Sequence, residues 1–181
     1  MYISSGQTRR QYQAPLATIK MAFTLGSLVL LCGISGLLTG VRSATIGPVK
    51  AFYCPNDWTL LKSSCYIYQE AMRTFSDAES ICNILGGNLV SIHNGLENAV
   101  VLELIRAAGE ADEAWIGYTD AIVEADFIWT DGSANSFENF GADEPDDDGD
   151  CVVMERNDGE WDDVDCADTF PYVCIMDASR R

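Results

Sequence analysis

Polar and apolar positions divide the chain into an uncharged stretch, a short linker and a patterned domain. From Met21 to Val41 no residue is charged, and Leu, Val, Ala, Gly and Ser dominate. Residues 44 to 53 link this stretch to the domain. Cys54 to Tyr68 then reads as a hairpin with aromatic residues on its second strand. Ala78, Ile81, Cys82 and Leu85 recur at helical spacing behind the capping box Ser76-Asp77-Ala78-Glu79, and Gly86-Gly87 ends that helix. Leu89 to Ile92 reads as a short strand. Asn94-Gly95-Leu96-Glu97 opens a second helix with Val100, Val101, Leu104, Ile105 and Ala108 on its apolar face and Gly109 at its end. Short strands follow at Trp115–Tyr118, Phe127–Trp129, Cys151–Met154 and Pro171–Cys174. Helices early and strands late predict an α+β domain. The long loop region between about Asp120 and Asp150 is the expected place for function, because compact domains rarely keep such loops without one.

The uncharged stretch supports two readings. As a secretory signal it is cleaved at Val41-Arg42-Ser43, with a mature start near Ala44 and Met21 as initiator, since the residues ahead of Met21 make a long lead for a signal. As an uncleaved anchor its length suffices for a bilayer, and Arg9, Arg10 and Lys20 hold the N-terminus in the cytoplasm. Interspersed Gly and Ser favour secretion; the anchor gives a type II single-pass membrane protein. In both cases the domain is extracellular, in an oxidising compartment. Cysteine usage agrees: outside Cys32, the six remaining cysteines, Cys54, Cys65, Cys82, Cys151, Cys166 and Cys174, form an even set. They read as three disulfides with connectivity open.

Charge narrows the partners. The chain carries 28 acidic and 11 basic residues, a net charge of −17; after Ser43 all 28 acids remain but only seven bases, giving −21. Nucleic acid requires a basic face and is excluded as a partner. Cations, cationic protein surfaces and mineral fit better. The acids concentrate between Glu144 and Asp163, in Glu144-Pro145-Asp146-Asp147-Asp148-Gly149-Asp150-Cys151 and Trp161-Asp162-Asp163, where Arg156 is the only opposing charge. Like charges held this close repel unless a hard cation sits among them, and oxygen-rich clusters suit Ca²⁺. A solvated acidic loop is the plainer explanation, but Cys151, Cys166, Trp161 and the Val152-Val153-Met154 run belong to a folded segment. Residues 144–155 also echo an EF-hand loop; Pro145, Cys151 and the strand-like apolar run argue against flanking helices. An enzyme is not expected. His93, the one histidine, reads as a turn residue, and the carboxylates read better as metal ligands than as an acid–base pair.

Taken together, residues 54–176 resemble the C-type lectin-like domain. The carriers are Cys54-Pro-Asn-Asp-Trp58, Gly86-Gly87-Asn88-Leu89-Val90-Ser91-Ile92, Trp115-Ile116-Gly117 and Phe127-Ile-Trp129-Thr-Asp-Gly132. They continue with Glu144-Pro145-Asp146, Cys151, Trp161-Asp162-Asp163, Cys166 and Cys174. The resemblance implies a double-looped domain with two helices and two small antiparallel sheets. It implies the long-form pairing Cys54–Cys65, Cys82–Cys174 and Cys151–Cys166. It also implies a principal Ca²⁺ site at Glu144, Asp146, Asp162 and Asp163, the same four that would meet a sugar, with a cis bond at Glu144–Pro145. Asp148 is the nearest counterpart of an additional family glutamate. A second site would draw on Asp120, Glu124, Asp147 and Asp150.

The chain departs from the sugar-binding pattern at two positions. Asp146 and Asp162 stand where the mannose-binding form places Asn, and an ionised Asp accepts hydrogen bonds but donates none. Two functions follow as expectations. The first is a secreted, Ca²⁺-dependent carbohydrate-binding module recognising glycans or glycoproteins. The second is a Ca²⁺-stabilised lectin-like domain that binds a protein or mineral surface.

Overall fold

The computed structural model describes residues 51–180 except Gly109 and Asp147. The uncharged stretch, the Met21 start, most of the linker, Gly109 and the expected ligand Asp147 lie outside the described residues. Among the described residues, ten strands and two helices follow one another: β1 (Phe52–Tyr53), β2 (Thr59–Leu61), β3 (Ser64–Arg73), α1 (Phe75–Ile84), β4 (Asn88–Leu89), α2 (Gly95–Ala108), β5 (Glu113–Thr119), β6 (Ile128–Trp129), β7 (Cys151–Glu155), β8 (Trp161–Val164), β9 (Phe170–Asp177) and β10 (Ser179–Arg180).

The hairpin β2–β3 forms as expected, and Cys54–Cys65 ties its base. Helix α1 starts two residues ahead of the predicted box. Its N-cap is Thr74, whose hydroxyl accepts from the Asp77 amide at 3.4 Å. The earlier start buries Phe75 with Ala78 and Cys82. Glu79, no longer a capping residue, accepts from the Leu89 amide at 2.7 Å and from Thr130 Oγ1 at 3.1 Å, fastening α1 to β4 and to the segment after β6. Leu85, expected on the apolar face, is exposed because the helix has ended. Gly86 follows it with φ of +97°, and at Gly87 an added Cβ would lie 1.9 Å from the Ile175 carbonyl oxygen. The first glycine turns the chain, while the second admits strand β9 against it.

Asn94 caps α2 by accepting from the amides of Leu96 and Glu97, and Glu97 accepts in return from the His93 amide at 2.9 Å. The buried face is Asn98, Val101, Leu102 and Ile105, a stripe rotated from the predicted one: Val100 and Leu104 are half-buried and Ala108 is exposed. Asn98 is the reason for the rotation. Its amide donates to the Gly159 carbonyl at 3.0 Å and its oxygen accepts from Trp161 Nε1 at 2.9 Å, so a polar side chain is satisfied inside the core. The strand expected at Leu89–Ile92 is shorter, since Ser91 turns aside to donate to Asp131 at 2.6 Å.

Strands β1 and β10 pair as a small sheet, and the other eight form a larger one with central order β2-β3-β9-β5-β7-β8. β4 joins through β9, and β6 through β5. Within the larger sheet two antiparallel lobes meet where β5 and β9 run parallel at Trp115 and Tyr172. The two expected sheets are therefore fused at one junction, with the two-stranded pair added outside them. Cys82–Cys174 joins α1 to β9, and Cys151–Cys166 joins β7 to the segment after β8. Beneath the long loop lies an aromatic core in which Tyr118, Trp129 and Trp161 pack with ring centroids 4.4–5.7 Å apart. Trp161 is buried here, and Phe140 packs half-buried against it.

Candidate metal centre

The acidic motif Trp161-Asp162-Asp163 lies on strand β8, an element not predicted because aspartates are poor strand formers. Pairing overrides that preference: Val152 lies opposite Asp163 and Val153 opposite Asp162. The indole of Trp161, held by Asn98, anchors the strand in the core. The incoming loop is clasped to the same strand, with the Trp161 amide donating to Asn139 O at 2.9 Å and the Gly141 amide to Trp161 O at 3.0 Å. A turn from Gly141 then delivers Glu144 to the cis bond at Glu144–Pro145. Beyond it the Asp146 amide donates to Asp163 at 3.0 Å, and the Asp148 amide to Asp146 at 3.1 Å. Gly149 crosses over β8, where a Cβ would lie 1.9 Å from the Val164 carbonyl carbon. That close approach explains the glycine of the acidic run. β7 starts two residues later, so the segment is a strand-flanked loop and not an EF-hand.

This framework gathers two groups of carboxylates. Oxygens of Glu144, Asp162 and Asp163 lie within 4.8 Å of one another, as do those of Asp146, Asp148 and Asp163. Asp163 belongs to both groups and is 1% exposed. Lys62 pairs with Glu97 and Arg106 with Glu103, both away from these groups. Glu144 Oε2 is buried without a hydrogen-bond partner. Burial, followed by the charges of Asp162, Asp146 and Asp163, pushes the Glu144 carboxyl up to about 7. Burial and then Asp148 raise Asp162, while the charge of Asp146 raises Asp148. Five hard oxygen donors, one of them orphaned in a buried position, match the donor set Ca²⁺ selects.

The expected second site is less assembled. Asp120 is buried; Oδ2 accepts from the Ala125 amide at 2.8 Å and Oδ1 is buried without a partner. Its amide donates to the Asp150 carbonyl at 3.2 Å, which places the exposed loop carrying Glu124 beside Asp150. The carboxylates of Asp120, Glu124 and Asp150 do not converge as the principal set does among the described residues. His93 is a helix-entry residue, with Nε2 3.2 Å from Ser91 Oγ and its ring edge-on to Trp129. Sequence reasoning missed Asn98 and Glu79 as supports of the site. Asn98 sits at i−3 and i−4 from Val101 and Leu102, a polar residue on an apolar stripe, and that position was the available signal.

The Lectin C-type domain family matches residues 71–176. An alpha-N-acetylgalactosamine-specific lectin of Patiria pectinifera is 34% identical over 159 residues, covering 80% of this chain and 94% of that protein. Ladderlectin of Oncorhynchus mykiss is 32% identical over 123 residues, and the match spans 65% of each chain. Among solved structures, a calcium-independent type II antifreeze protein superposes with a TM-score of 0.66 at 29% identity, covering 71% of this chain and 98% of that one. The family and these neighbours are binding proteins, and the chain is not an enzyme. On fold, disulfides and family match together, the chain belongs to the C-type lectin-like domain family.

Proposed function

We propose that the domain is an extracellular, Ca²⁺-dependent carbohydrate-binding module. Glu144, Asp146, Asp148, Asp162 and Asp163 would hold the ion, and bound Ca²⁺ would supply coordination positions for vicinal sugar hydroxyls. The observation that carries the reading is the buried, unpartnered Glu144 Oε2 at the focus of converging carboxylates. A carboxylate held there without a counter-charge is costly, and a divalent cation offsets that cost. The protein's own contribution is positional: β8 and the clasped loop fix the oxygens, and the carboxylates accept hydrogen bonds from the sugar. Asp120, Glu124, Asp150 and Asp147 would form a weaker second site after loop adjustment. The similar lectin from Patiria pectinifera, named for N-acetylgalactosamine, supports glycans as the ligand class. Three disulfides support an extracellular location.

A second reading has its own support. Asp146 and Asp162 lack the amide donors of the mannose-binding pattern, and the superposed antifreeze protein is described as calcium-independent. With −21 after Ser43, such a domain would bind a cationic protein or mineral surface. The Asp146→Asn variant separates the two. It restores one donor at the site, so mannose-type binding rises on an immobilised-mannan assay while Ca²⁺ titration still saturates. No gain in mannan binding with Ca²⁺ affinity intact counts against the glycan reading.

A further inference from the structure

Beyond the carboxylate loop, Arg156 stands out among the described residues. Arg156, just past the end of β7, makes no side-chain hydrogen bond and no ion pair, and its Nε is buried without a partner. In so acidic a chain an unpaired guanidinium is unexpected, because nearby carboxylates ordinarily claim it. Arg106 stands beside it, locked by donating Nε to the Arg156 carbonyl at 2.9 Å and Nη2 to the Asn157 carbonyl. Both arginines open into a cleft of about 410 Å³ walled by Tyr68 and Pro171, with Glu70 and Glu110 also lining it. Arg156 lies five positions beyond Cys151, where the acidic loop ends. At roughly 3.3 Å per strand residue, Arg156 is about 16 Å along the chain direction of β7 from the end of that loop.

We infer that this cleft is a Ca²⁺-independent site for an acidic saccharide, with the Arg156 guanidinium taking the carboxylate of the sugar. The chemistry of the lining supports that class. A guanidinium offers two parallel donors to a carboxylate. The Tyr68 ring and Pro171 give a flat apolar wall for the face of a pyranose, and Glu70 and Glu110 are acceptors for its hydroxyls. The same two carboxylates disfavour a bare anion, which gains nothing from hydroxyl acceptors. The ligand class rests on the glycan-binding reading, and the test is run in EDTA so that the two fail separately.

The probe is sodium glucuronate, titrated into the ¹⁵N-labelled full-length protein in EDTA, with glucose and sodium sulfate as comparisons. Glucuronate is expected to shift the Arg156 Nε–Hε and Tyr68 amide resonances, with glucose leaving them in place. Arg156→Gln weakens this binding at least tenfold, and Arg156→Lys, which keeps the charge but loses the fork, weakens it less. Amide spectra unchanged away from the cleft show that both variants fold. The inference is overturned if glucuronate moves neither resonance, if Arg156→Gln binds as well as the wild type, or if sulfate shifts Arg156 where glucuronate does not.

Discussion

Replacing Glu144 by Gln tests whether the acidic loop is a metal site or a structural one. Gln keeps the shape and one oxygen but removes the charge. Glu144 oxygens lie within 4.8 Å of those of Asp162 and Asp163. At that separation each repulsion amounts to about 0.9 kcal/mol in water and about 3.5 kcal/mol at an effective dielectric constant of 20. The site is half-exposed, so the lower end applies, and two pairs give about 2 kcal/mol. For a domain of this size that corresponds to a melting temperature about 5–10 °C higher in EDTA at pH 8.5, where the wild-type carboxylate is ionised. In Ca²⁺ the order reverses. Losing a charged ligand weakens the ion about 10- to 100-fold, removing about 1.4–2.7 kcal/mol of ligand-linked stability. Differential scanning fluorimetry in EDTA and across a Ca²⁺ series reads both effects. A variant that melts lower in EDTA, with an undiminished Ca²⁺ increment, would mean that Glu144 is a structural residue and not a metal ligand.

Further outcomes follow from the same loop. The Glu144 carboxyl lies at about 7 in the folded protein, above its ordinary 4.5. A pKa raised on folding stabilises the fold below the lower value, and that stability is lost as pH rises through the higher one. The metal-free melting temperature should therefore fall between pH 5 and 8, and saturating Ca²⁺ should flatten the profile; a rising metal-free profile contradicts the assignment. Gly149→Ala places a methyl 1.9 Å from the Val164 carbonyl carbon. The loop must lift off β8, so the Ca²⁺ increment is lost and the fold weakens by about 1–3 kcal/mol, both visible by thermal denaturation with and without the ion.

Much of this arrangement was legible in the residues, for identifiable reasons. Apolar spacing located both helices and most strands because burial imposes its period on the chain. The cysteine set and the ordered motifs from Cys54 to Cys174 led to the family, and through it to the disulfide pairing and the cis bond at Glu144–Pro145. Boundaries shifted where a side-chain hydrogen bond decided between near-equal choices, as when Thr74 capped α1 in place of Ser76. Strand β8 was invisible because its Asp pair opposes strand formation locally, and the pairing with β7 is long-range information. The roles of Glu79 and Asn98 were hidden for the same reason: their partners lie at Thr130 and Gly159, far along the chain.

The most direct test of the central claim is a glycan-array screen of the protein in Ca²⁺ and again in EDTA. A Ca²⁺-dependent lectin binds a coherent set of neutral glycans, and the chelator abolishes that binding. Neutral-glycan binding that survives EDTA, or none at all while Ca²⁺ still raises the melting temperature, would contradict that claim.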